Sequence, residues 1–290
     1  MGGIIWLASY PKSGNTWLRL FLHNLLLNND KPANINNLNN LTIGSNNEFW
    51  LEKVTGRPFD SFTEKEAVAL TPRIHKALTR IRSDSVFVKT HNSMSKVHGI
   101  PLITPEYTAG AIYVLRNPLD TVISLADHFG ISLNDSIDML NDTQTTISAD
   151  NIQTAEHLGS WSSHVLSWKA INKSALHILR YEDMLYKPEK AFGGLAKFLG
   201  LSPPTTRLKK AINFSSFDTS RKQEQEKGFI EQSDKSDRFF RVGKAGQWRK
   251  LLSEDQIGRV IDANFKVMAE HGYLHNSMNR VSRVDYNPSS

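Results

Sequence analysis

An α/β fold, with a mostly parallel central sheet flanked by helices in a single domain, is what the sequence predicts. Three observations carry the prediction. Short apolar runs at 4–8, 85–88, 110–115 and 175–179 alternate with stretches of helical texture, the order that lays crossover helices on both faces of a parallel sheet. The runs lead into the polar residues His91, Arg116 and Arg180, and strand ends of this kind line the ligand crevice in open α/β sheets. With 290 residues, 39% of them hydrophobic, the chain can bury one sizeable core. The domain is expected to span 1–290, with its core at about 4–270.

The first strand is Ile4 to Ala8, short, apolar and rich in β-branched residues. Pro11 has no amide hydrogen to donate and ends the ladder. Lys12 to Thr16 form a polar turn. Trp17, Leu18, Leu20, Phe21, Leu22, Leu25 and Leu26 then continue as a helix. A loop at a helix N-terminus offers free amides and the positive end of the helix dipole to an anion. Gly14 lets the backbone approach closely, Ser13, Asn15 and Thr16 add side-chain donors, and Lys12 adds a full charge. The stretch reads as a phosphate cradle, with an ordinary βα loop carrying a surface lysine as the plainer alternative. It differs from the usual nucleotide loop, in which Gly and four residues precede Gly-Lys-Ser/Thr: here there is one glycine, and the lysine comes first.

Residues 28–47 contain nine asparagines among scattered Leu and Ile, and asparagine favours turns and caps, so an irregular loop is expected. Helical texture returns over 63–82, opened by a capping box of Thr63 and Glu66. The second strand, Ser85 to Val88, runs into Lys89-Thr90-His91. On the residues alone, a structural and a catalytic imidazole fit His91 equally. The third strand, 110–115, runs into Arg116-Asn117-Pro118-Leu119-Asp120, with Ser124 two turns into the helix that Asn117 caps. Arg116 and Ser124 read as a phosphate clamp of guanidinium and hydroxyl, or as a strand-capping arginine and a small helix residue.

Residues 125–150 are less regular, with a helix expected over 133–140. On the helix that follows, Trp161, Val165 and Trp168 share one face, which suits core. The fourth strand ends in Arg180-Tyr181-Glu182-Asp183, where the acids suit a helix start. An amphipathic helix covers 191–199, and Pro203-Pro204 marks a break before residues 208–212. Residues 220–237 are polar, charged and poor in large apolar side chains, which predicts a mobile surface loop. A basic stretch at 239–250 and a final helix over 253–271 close the chain.

Composition narrows the function. A net charge of +6 suits anionic ligands, and no nucleic-acid motif is present. With no cysteine there is no disulfide, thiolate nucleophile or cysteine metal site. No apolar run approaches 18 residues and no signal peptide precedes the first strand, so no membrane span is expected and the cytoplasm is the expected compartment. No metal is expected.

Pro11-Lys12-Ser13-Gly14-Asn15-Thr16-Trp17 resembles the 5′-phosphosulfate loop of sulfotransferases, which use 3′-phosphoadenosine-5′-phosphosulfate (PAPS) as donor. Asn15 stands where that family often has threonine. Lys89-Thr90-His91 resembles the station of its general-base histidine, and Arg116 to Ser124 its 3′-phosphate motif. Gly159-Ser160-Trp161, with His164 and Trp168, matches a spacing found near the family's acceptor pocket, which makes His164 a secondary candidate. Tyr181-Glu182-Asp183 and 213–217 resemble the adenine stations. Arg241, Gly243, Gly246 and Trp248 fit the closing pattern, but Val242 replaces its lysine. One phosphate contact is therefore either missing or supplied by Lys244.

The resemblance implies a fold related to nucleotide kinases and in-line sulfuryl transfer from PAPS to a hydroxyl or amine of a small-molecule acceptor. His91 would be the base with a pKa near the ordinary 6.5, Lys12 would stabilise the leaving phosphate, and Lys89 would assist at the sulfuryl oxygens. Lys12, Ser13, Gly14, Asn15 and Thr16 would hold the 5′ end. Arg116, Ser124 and Arg241 would hold the 3′-phosphate beside Gly243. Trp17, Tyr181, Ser215 and Phe217 would surround the adenine. The family's short C-terminal dimer motif is not found, so a dimer is not implied. The rivals are an ATP-dependent small-molecule kinase, which wants a magnesium-binding acid at a strand end, and a non-catalytic nucleotide-binding module.

Overall fold

The computed structural model describes residues 2–150 and 152–274, so the last part of the expected 1–290 domain lies outside the described residues. Among the described residues the strands are β1 (Ile4–Ser9), β2 (Thr42–Gly44), β3 (Val86–Thr90), β4 (Lys96–Val97), β5 (Ile100–Pro101), β6 (Thr108–Leu115), β7 (Thr146–Ile147), β8 (Glu156–His157) and β9 (Leu176–Arg180). Five of them form one parallel sheet in the order β2-β3-β1-β6-β9, while β4–β5 and β7–β8 are small antiparallel pairs.

The helices are α1 (Asn15–Leu27), α2 (Glu48–Thr55), α3 (Glu64–Ala69), α4 (Thr71–Leu78), α5 (Pro118–Phe129), α6 (Leu133–Asn141), α7 (Trp161–Trp168), α8 (Tyr181–Tyr186), α9 (Pro188–Phe198), α10 (Thr205–Phe214), α11 (Phe217–Lys227), α12 (Trp248–Leu251) and α13 (Glu254–Glu270).

The two-residue period of β1 divides the core. Ile4, Trp6 and Ala8 face one side of the sheet, where Leu119 and Val122 of α5, Trp161, Val165 and Trp168 of α7, and Val260 and Met268 of α13 cover them. Leu7 faces the other side, joined by Ile112, Val114 and Leu179 under Leu18, Phe21 and Leu22 of α1 and Phe192 and Leu195 of α9. With both faces covered, the strands read as continuous apolar runs. Because β1, β3, β6 and β9 are parallel, their C-terminal ends open at one edge. The loop after β1, His91, Arg116 and Tyr181 therefore leave the sheet side by side.

Four segments differ from expectation. Residues 28–47 are not irregular throughout. Asn34 caps a 3₁₀ helix, Ile35–Asn40, whose Ile35 and Leu38 are buried, and β2 then pairs with β3 as an edge strand. The unanticipated helix α2 carries its own signals, an Asn47 cap that accepts the Phe49 N–H and Gly56 at φ 73° at its end. The helix expected over 63–82 is two, because Pro72, in the first turn of α4, has no N–H to continue α3. The Thr63–Glu66 capping box forms as read. Finally, 220–237 is not all loop: α11 runs to Lys227 from a Ser216 cap. Glu224 on that helix is buried and accepts the Phe239 and Phe240 N–H groups at 2.6 and 3.1 Å. A contact across the chain fixes a helix too polar to announce itself.

Candidate active site

The loop after β1 holds its shape through strain and close approach. Lys12 has φ 63°, a region that side chains rarely adopt and that clusters at functional sites. Arg116 Nη1 donates to the Lys12 carbonyl at 2.8 Å and supports the turn. Gly14, at φ 109°, lies so near Tyr181 that a Cβ would come within 2.9 Å of its ring. Asn15 Nδ2 donates to the Leu7 carbonyl at 2.8 Å, which ties the helix start back to the strand.

Around this turn the Ser13 Oγ, Asn15 Oδ1, Trp17 Nε1 and Arg116 Nε atoms are buried with no partner among the described residues. Buried groups of this kind are costly unless something bonds them, and the donors among them, Ser13 Oγ, Trp17 Nε1 and Arg116 Nε, fit a phosphate-bearing ligand together with the free amides of the α1 N-terminus. Asn15 does not supply the expected side-chain donor, because its Nδ2 is spent on the Leu7 carbonyl and Ser9 Oγ and its free Oδ1 only accepts.

All of this opens into a cavity of about 810 Å³. Lys12, Gly14, Asn15, Thr16, Trp17, Lys89, His91, Arg116, Ser124, Tyr181, Ser215, Phe217, Arg241 and Gly243 line it, so fourteen residues singled out across the sequence meet on one surface. Ser13 sits just behind it, 1% exposed. The Arg116–Ser124 pair forms, with Nη1 donating to Ser124 Oγ at 3.0 Å, and the guanidinium lies 4.4 Å from the Tyr181 ring centroid. Phe217 packs on Gly243, where a Cβ would fall 2.4 Å from the ring. Ser215 spends its hydroxyl proton on the Ala211 carbonyl of its own helix at 2.9 Å, which leaves only its lone pairs for a ligand. Arg241 is 3.7 Å from Asp127. Val242 lines the cavity, whereas Lys244 is exposed and does not.

At the other end stand His91 and Lys89. His91 Nδ1 lies 2.8 Å from the Ser9 carbonyl, which can only accept; Nδ1 therefore carries the proton and Nε2 keeps its lone pair. Burial, reinforced by the Lys89 charge, holds the His91 imidazole well below its usual pKa rather than near 6.5, so it is neutral at physiological pH. Lys12 Nζ lies 3.4 Å from His128 Nδ1 and 3.8 Å from the Phe239 ring centroid. Burial lowers the Lys12 pKa to about 8, with Asp127 opposing and Arg116 adding to the shift. His164 does not line the cavity. Wholly buried, it is bonded to the Tyr113 hydroxyl at 2.8 Å and to the His91 carbonyl at 2.9 Å, an arrangement that braces His91 from behind.

Among the cavity residues unsuspected in the sequence, four stand out. His128 follows Ser124 by one helical turn, and that spacing was the available signal. Arg19 reaches Glu231 at 2.6 Å with only 2% of its side chain exposed, a pairing across 212 residues that no local pattern announces. Burial works against ionising Glu231, but Arg19 and Lys89 overcome it and lower its pKa. Glu156 comes from β8. Ile43, Asn46, Trp50, Ile147 and Gln153 line the cavity as well.

Comparison with known proteins gives the family. The sulfotransferase domain family profile matches residues 4–272. Cytosolic sulfotransferase 16 of Arabidopsis thaliana is 24% identical over 290 residues, covering 89% of this chain and 75% of its own. Flavonol 4′-sulfotransferase of Flaveria chlorifolia is also 24% identical, with 89% and 78% covered. Among solved structures, a mouse sulfotransferase complexed with PAP superposes at TM-score 0.60 with 19% identity over 96% of this chain and 87% of that one. Retinol dehydratase in complex with androsterone and the inactive cofactor PAP superposes at 0.63 with 17% identity over 95% and 83%. At such identities the two structures establish the shared fold, and the profile match extends it to the family. The chain belongs to the sulfotransferase family.

Proposed function

We propose that the enzyme passes the sulfuryl group of PAPS to a hydroxyl or amine of a small-molecule acceptor, with His91 as general base. The observation that carries this reading is the Nδ1–H bond to the Ser9 carbonyl, which presents a neutral Nε2 at the end of β3, on the cavity wall. Nε2 takes the acceptor proton as its oxygen or nitrogen attacks sulfur and the 5′-phosphate departs. Lys12 meets charge growing on the leaving oxygen, assisted by the loop amides, and Lys89 stands by the sulfuryl oxygens. Arg116, Ser124 and Arg241 hold the 3′-phosphate, and Trp17, Tyr181, Ser215 and Phe217 frame the adenine.

One domain covering the chain and a cytoplasmic setting complete the proposal. The setting is supported by relatives named as cytosolic. An aryl hydroxyl is one acceptor class suggested by the flavonol-sulfating relative.

His91→Ala should lower kcat by on the order of 10² to 10⁴, while PAP affinity stays within a few-fold. The strict assay uses a high-pKa alcohol, which cannot ionise unaided. Near wild-type turnover by the variant with such an acceptor would remove His91 from the proton transfer.

A further inference from the structure

The cavity wall formed by the β7–β8 segment is docked against the strand end that carries His91. His157 N–H donates to Asn92 Oδ1 at 2.7 Å, and Ser93 N–H donates to the His157 carbonyl at 2.9 Å. The neighbouring Glu156 lines the cavity although it is only 4% exposed. Its Oε1 accepts the backbone N–H of His91 at 2.9 Å, and its Oε2 lies 3.9 Å from Lys89 Nζ. A carboxylate taken out of water is costly unless it is paired and hydrogen-bonded, and here Oε1 is hydrogen-bonded while Oε2 faces the Lys89 ammonium at ion-pair distance. The same β7–β8 segment sends Ile147, Asp150, Ile152 and Gln153 to the cavity.

We propose that Glu156 is a positioning residue for sulfuryl transfer. One carboxylate holds the His91 main chain and the Lys89 ammonium in fixed relation and fastens both to the β7–β8 wall. The proposal rests on the reading that His91 and Lys89 work at the transfer centre. In that setting Glu156 touches neither reacting atom. It sets where the proton acceptor and the cation stand, and a misplacement of about 1 Å in such a constellation costs on the order of a hundredfold in rate.

Two variants separate its contacts. Glu156→Gln keeps an acceptor for the His91 N–H but removes the charge facing Lys89; Glu156→Ala removes both. Turnover is measured with PAPS and whichever of 4-nitrophenol, a primary alkanol, glucose and a primary alkylamine the wild type sulfates fastest. Expected is a kcat about tenfold lower for Glu156→Gln and about a hundredfold lower for Glu156→Ala, with PAP affinity by calorimetry within about threefold for both. In a Lys89→Met background Glu156→Gln should add less than about twofold, because the charge it served is gone.

Three results would overturn the role of Glu156. They are wild-type kcat in Glu156→Gln, an equal loss with and without Lys89, and a loss of PAP binding and melting temperature that parallels the loss of rate. Wild-type kcat in both Lys89→Met and His91→Ala would instead overturn the reading of the transfer centre beneath it.

Discussion

Lys12 shows how one side chain takes its chemistry from its surroundings. Burial lowers its pKa to about 8, opposed by Asp127 and reinforced by Arg116. A bound phosphate favours the charged amine and raises that value again. In the free protein the proton therefore leaves as pH rises through about 8, and above that pH nucleotide binding must take a proton up. PAP affinity should hold below pH 8 and fall above it by up to about tenfold per pH unit. Calorimetry at pH 9 in two buffers of different ionisation enthalpy reads the proton directly, and an affinity that is flat to pH 9.5 would take Lys12 out of the phosphate site. Arg116 does two jobs, bonding Ser124 and the Lys12 carbonyl. Arg116→Ala should weaken PAP by about tenfold to more than a hundredfold, from a charged bond of roughly 1.5–3 kcal/mol. The nucleotide lacking the 3′-phosphate should lose far less, only through the loosened turn. Equal losses would place Arg116 away from that phosphate.

Among the elements, α5 is the one that ties distant parts of the site together. Asp120, 1% exposed in its first turn, accepts the Gly246 N–H at 2.6 Å and the Trp248 N–H at 3.2 Å. Those bonds fasten residues 239–248, which carry Arg241 and Gly243, to the helix that carries Ser124. Asp120→Asn keeps the shape but presents one acceptor oxygen and an amine where two oxygens stood. It should cost about 1–3 kcal/mol of stability and weaken PAP severalfold, and Arg241→Ala should add little on top because the two act through one loop. Urea melts and calorimetry test both parts; unchanged PAP affinity in Asp120→Asn would mean that the loop holds itself.

At the scale of the molecule, several histidines are folded in neutral form. Burial brings His75 to about 3 and His164 to about 4, and burial with Lys89 nearby takes His91 well below its usual range. Their folded pKa values lie below the unfolded value near 6.5, so their stabilising contribution is whole above pH 6.5 and is lost as pH falls toward the folded values. Each histidine steepens the decline by up to about 1.4 kcal/mol per pH unit. Melting temperature should be level between pH 7 and 8 and drop sharply between 6 and 4. His75→Gln, which removes one titrating group away from the cavity, should flatten that slope by about one proton. A slope unchanged by that substitution would show that His75 does not contribute to it.

The β-strand order of textures, the loop at Lys12 and the stations at His91, Arg116, Tyr181 and Arg241 were legible in the sequence because each is local. An apolar run of strand length, a proline that ends it and a glycine where backbone must come close are all properties of neighbouring residues. The sheet edge β2 and helix α11 were not, since three residues of pairing and a helix polar almost all round leave little periodic signal. The neutral state of His91 was also beyond reach, because burial is set by every element that covers a side chain. So were Arg19 with Glu231, and Glu156 with His91 and Lys89, pairs separated by tens to hundreds of residues. The sequence by itself determined which local motifs sit at the strand ends and the alternation of strand and helix, because those depend on residue type and short spacing. Only the tertiary structure decided which charges face one another in the cavity, because electrostatic energy depends on distance and burial and not on order along the chain.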